Sequence, residues 1–88
     1  MKHFFSEVDD VTLTFSDIQR QGGMEYIRIY FEKPIDNDFA FLESTLPALN
    51  IVATEHFSPT EQQQLLQYAR TNAFLIWDIA RDKEDKSA

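Results

Sequence analysis

Few stretches of this 88-residue chain carry residue types that do chemistry elsewhere, and spacing decides what each could do. Asp36-Asn37-Asp38 offers the oxygen ligands that open a calcium loop, but such a loop needs glycine at its sixth position and glutamate at its twelfth. Phe41 and Pro47 stand there instead, so the calcium reading fails. Glu55 and His56 are adjacent, and in an extended segment neighbouring side chains point to opposite sides rather than to one metal. No H-E-x-x-H spacing and no nucleophile elbow surrounds them. Gly22-Gly23 lacks the flanking pattern of a phosphate loop, and as a hairpin turn it needs no further role. With no cysteine in the chain, disulfides and thiolate chemistry are excluded. The residue pattern assigns no catalytic residue, cofactor or metal. Its carboxylates form no ordered array of the kind that imitates nucleic acid.

One constellation points to binding. Tyr26, Arg28 and Tyr30 alternate with Ile27, Ile29 and Phe31, so a strand here presents the first three on one face. Aromatic and Arg side chains on an open sheet stack bases. With His56, the same residues could orient a ligand in a pocket between sheet and helix. Charge weighs against nucleic acid: fifteen Asp and Glu against eight Lys and Arg leave a net −7, and the cations are not clustered. Anionic membranes are disfavoured for the same reason. No apolar run approaches the ~18 residues of a membrane span, and MKHFFSEVDD lacks the apolar centre of a signal peptide. The expectation is a soluble, cytoplasmic protein.

Elements must position these residues. The composition is that of a folded domain, with eight Phe, three Tyr and one Trp to fill a core. VTLTFSDI, Val11 to Ile18, alternates with strand period. MEYIRIYFEK, Met24 to Lys33, follows a Gly-Gly turn, and together the two runs predict a β-hairpin. For Phe39 to Leu46 both helix and strand are compatible, and strand is preferred because so short a helix is marginal. LNIVAT, Leu49 to Thr54, alternates again. In FSPTEQQQ, Ser58 is the N-cap, Pro59 opens the helix, and Glu61 completes an S-x-x-E capping box.

That helix is expected to run through NAFLIWDIAR to about Glu84. Leu65, Leu66, Ala69, Ala73, Ile76, Trp77 and Ala80 fall within one stripe of ~120° at ~100° per residue. A length of ~39 Å exceeds the compact core, so overhang or a break near Asn72 is anticipated. Tyr68, Leu75 and Ile79 form a second row that widens the apolar arc to ~200°, twice what one docked face needs. Phe74 lies farther round. Either the chain covers this surplus itself, with Phe4 and Phe5 or through a break at Asn72, or another protein does.

The sequence therefore predicts one α+β domain over residues 1–88. It comprises a three- or four-stranded, mainly antiparallel sheet from about Val11 to Thr54, with a long C-terminal helix packed on one face. Residues 1–10 and 84–88 are candidates for mobility. The expected function is a small acidic protein-interaction module without catalytic activity, a homodimer that uses Tyr68, Phe74, Leu75, Trp77 and Ile79. The alternative is a small-molecule-binding or enzymatic domain with a pocket between sheet and helix, using Tyr26, Arg28, Tyr30 or His56.

Overall fold

A computed structural model describes residues 1–87. Six strands precede one helix: β1 Lys2–Val8, β2 Val11–Ser16, β3 Gln19–Gln21, β4 Met24–Ile35, β5 Asp38–Leu46, β6 Ala53–Glu55 and α1 Pro59–Ser87. All strand pairs are antiparallel and the order is β1-β2-β4-β5-β6, with β3 beside the start of β4. The α+β architecture is as predicted, with more strands than the three or four expected. The two additional neighbours are β1, within the segment expected to be mobile, and the three-residue β3.

β4 organises the sheet because its two faces differ. Ile27, Ile29 and Phe31 are buried, while Tyr26, Arg28 and Tyr30 between them are half-buried on the opposite face. β5 pairs with β4 from Ile27↔Leu46 to Ile35↔Asp38. This register puts Ala40, Leu42, Ser44 and Leu46 on the core side and leaves Phe39 and Phe41 outside. Segment 39–46 is thus a strand. Gly22 and Gly23, with φ of 58° and 78°, make the two-residue turn between Gln21 and Met24 that was read from the sequence. Asp9 and Asp10 take the same left-handed region between β1 and β2.

β2 and β3 occupy one edge of β4 in succession. Between them, Ser16 Oγ donates to the Asp17 carbonyl at 2.7 Å and accepts the Arg28 backbone N–H at 3.0 Å. Of the LNIVAT run only Ala53 and Thr54 belong to a strand. Leu49 has φ 60°, the Asn50 carbonyl accepts from the buried Ser44 hydroxyl, and Val52 N–H reaches the Glu43 carbonyl, which fixes a loop across the edge of β5.

The helix forms without interruption through Thr71 and Asn72. Ser58 Oγ accepts from Glu61 N–H at 3.2 Å, and the Glu61 carboxylate accepts from Ser58 N–H at 2.8 Å, completing the expected capping box. Asn72 does not break the helix, and its side-chain amide donates to the Tyr68 carbonyl one turn back, at 2.9 Å. Ala69, Ile76 and Ala80 press into the core made by Leu13, Phe15, Ile27, Ile29, Phe31 and Leu42. At its far end, Arg20 grips Glu84 with two hydrogen bonds of 2.7 and 3.0 Å, and Arg81 donates to Glu25 at 2.8 Å. The helix sets the 41 Å long axis of a molecule otherwise 23 by 21 Å. It is not apolar enough to cross a membrane. Ala88, the last residue of the tail expected to be mobile, lies outside the described residues.

Candidate functional site

The docked helix divides the predicted interface residues into two groups. Phe74, Leu75 and Ile79 are exposed, at 76%, 53% and 37% respectively. Tyr68 and Trp77 are half-buried against the core. Tyr68 reaches the sheet, where its hydroxyl donates to Ser6 Oγ at 2.9 Å, and the Arg81 guanidinium lies 5.3 Å above the Trp77 ring. Neither device suggested for covering the surplus operates on this row. The helix does not break, and Phe4 is exposed, paired through Thr14 to Tyr30 on the sheet face away from the helix. Phe5 packs against the core. Leu75 and Ile79, one turn apart, therefore stand uncovered on the helix with Phe74 beside them.

The uncovered sheet face carries the predicted ligand residues Tyr26, Arg28 and Tyr30, in the company of Phe4, Phe39 and Phe41. Its cations are already engaged. Lys2 Nζ sits 4.1 Å above the Tyr30 ring and within 3.4 Å of Glu32, and Arg28 pairs with Glu43 on β5. The Glu43 carboxylate pushes the Arg28 guanidinium above its ordinary value through a direct hydrogen bond and its charge. Thr14 Oγ1, between Phe4 and Tyr30, is buried without a hydrogen-bond partner. His56 does not join this group. It follows β6 with φ 67° and bonds Asp38 at 3.1 Å, and Asp38 lies seven residues along β5 from Thr45, the partner of Arg28. At ~3.3 Å per residue that is ~23 Å.

The other histidine, His3, bonds Asp17 at 2.6 Å and packs its ring 5.3 Å from that of Phe15. This hydrogen bond holds the Asp17 carboxyl below its usual range. Among the described residues no group of three or more His, Asp or Glu comes together in a way that could hold a metal ion.

A cleft lies between sheet and helix, where the alternative reading expected a pocket, but it is lined by other residues than Tyr26, Arg28, Tyr30 and His56. The cleft, of about 350 Å³, lies between the first turns of α1 and strands β1, β2 and β4. Leu13, Phe31, Phe57 and Leu65 form its floor, and Ser6, Asp9, Lys33, Glu61, Gln64 and Tyr68 supply polar groups. Neither Arg28 nor His56 lines it. The available signal was strand parity: Leu13, Phe31 and Lys33 share the helix-facing side, so the polar Lys33 ends an apolar row. Comparison with family models, curated proteins and solved structures finds no match for this chain.

Proposed function

We propose that this protein is a small interaction module that works as a homodimer, joined through the outward row of α1. The observation that carries this reading is the exposure of Leu75, Ile79 and Phe74 on a helix whose other face packs on the core through Ala69, Ile76 and Ala80. Large apolar side chains grouped on a surface favour a protein partner. A second copy fits because a twofold axis near Trp77 brings Leu75 of one antiparallel helix against Ile79 of the other, making a self-complementary contact.

Area limits the arrangement. The three side chains offer on the order of 300 Å², against ~800 Å² per partner in a standard interface. They serve as the apolar centre, with Thr71, Asp78 and Asp82 along the same exposed side as the polar rim that surrounds such a centre. The uncovered sheet face competes less well, since Lys2–Glu32 and Arg28–Glu43 already span it with charge pairs. The same pairing leaves few free cations there for nucleic acid, in a chain of net charge −7.

The test is Leu75→Glu combined with Ile79→Glu. Sedimentation equilibrium is expected to show a loss of association, while far-UV circular dichroism keeps the wild-type helix signal. Association that survives the double substitution would remove this surface from the account.

A further inference from the structure

The cleft between β2, β4 and the first turns of α1 is lined by apolar side chains and carries one cation, Lys33, whose charge acts on the Glu61 carboxylate across the cleft. Lys33 is half-buried on the helix-facing side of β4 and makes no salt bridge among the described residues. Glu61 feels the Lys33 charge without a direct salt bridge, so the partly buried ammonium keeps hydrogen-bonding capacity for a charged acceptor. Two acidic side chains also line the cleft. The Glu61 carboxylate accepts the Ser58 N–H within the capping box, and Asp9 is exposed to water on the β1–β2 turn.

From this geometry we infer that the cleft binds a small amphipathic carboxylate, its head on the Lys33 ammonium and its apolar body along Leu13, Phe31 and Leu65. Dimensions set the size. Glu61, at the Lys33 end, and Tyr68, at the other, are seven residues apart on α1, or ~10 Å. A cleft of about 350 Å³ accommodates a ligand of about ten heavy atoms at the small end of the pocket range. At the Tyr68 end, the hydrogen-bonded Ser6–Tyr68 pair lines the cleft with polar groups. This inference stands apart from the dimer, because the cleft opens against the N-terminal turns of α1 and the apolar row lies farther along the helix.

The experiment is an NMR titration of the isotope-labelled protein with octanoate, octylamine and octanol, three probes of one length that differ in head-group charge. Octanoate is expected to bind saturably, with amide shifts centred on Leu13, Phe31, Lys33 and Leu65, and to bind more tightly than the other two. Lys33→Met keeps the apolar stem and should weaken octanoate about tenfold or more, the usual consequence of losing a charged hydrogen-bond partner. Gln64→Trp, at an exposed helix position on the rim, should block binding while Lys33 remains. Circular dichroism checks that both variants fold, and Lys33→Gln replaces Lys33→Met if the latter does not. The inference is overturned if octylamine or octanol binds as well as octanoate, if removing the Lys33 charge changes nothing, if no saturable shift occurs, or if the shifts centre on Leu75 and Ile79.

Discussion

Leu75 and Ile76 are sequence neighbours with opposite environments: Ile76 is fully buried and Leu75 is more than half exposed. One step of ~100° around the helix separates them, and energetics should separate them as clearly. Ile76→Ala removes buried methyl groups from a close-packed site and is expected to cost about 2–5 kcal/mol in urea denaturation. Leu75→Glu should stay within about 0.5 kcal/mol of the wild type when measured on the monomer. Ser58→Ala, which deletes the cap acceptor for Glu61 N–H, should lower stability by about 1 kcal/mol. These fates were legible from helical phase and capping chemistry. Tyr68 was not: phase alone put it in the outer row, but a long side chain leans back along its helix and found Ser6 on β1, a strand the alternation rule had missed.

At the scale of elements, β2, β4 and α1 were readable because each carries a sustained period or a cap, whereas Phe39 to Leu46, now β5, fitted helix and strand alike and was preferred as a strand only because so short a helix is marginal. β1 escaped because its register slips between Phe4 and Ser6, which breaks the alternation of HFFSEV. LNIVAT misled in the opposite sense, since its apparent alternation serves a loop pinned by Ser44 and Glu43. The far end of α1 is tied to the sheet by charge. The Arg81 hydrogen bond holds the Glu25 carboxyl below its ordinary 4.5, and Arg20 does the same for Glu84. Carboxyls lowered in the folded state contribute stability above their unfolded values and lose it as pH falls through the folded ones. The melting temperature should therefore be level above pH 4.5 and decline below it. Because these pairs are exposed, the decline they cause should be modest, and Glu84→Gln should make it shallower.

For the whole molecule, a five-strand path with one helix leaves two broad surfaces uncovered, and they differ in character. The sheet side is crossed by the Lys2–Glu32 and Arg28–Glu43 pairs with Phe4 and Phe39 exposed beside them, whereas the helix side ends in Leu75, Ile79 and Phe74 with no charge pair among them. The surplus of apolar residues in NAFLIWDIAR was visible in the sequence. Its division between core and surface was not, because that depends on where the sheet meets the helix. A pocket between sheet and helix was anticipated, but its lining was not legible, since residues from β1, β2, β4 and α1 meet there rather than any one run.

The most direct test of the central claim is the mass of the native protein in solution, measured by light scattering after size exclusion over a wide concentration range. A homodimer gives twice the 10.3 kDa of the chain, falling to a single chain mass in the Leu75→Glu, Ile79→Glu variant. A wild-type mass of 10.3 kDa at every concentration would contradict it.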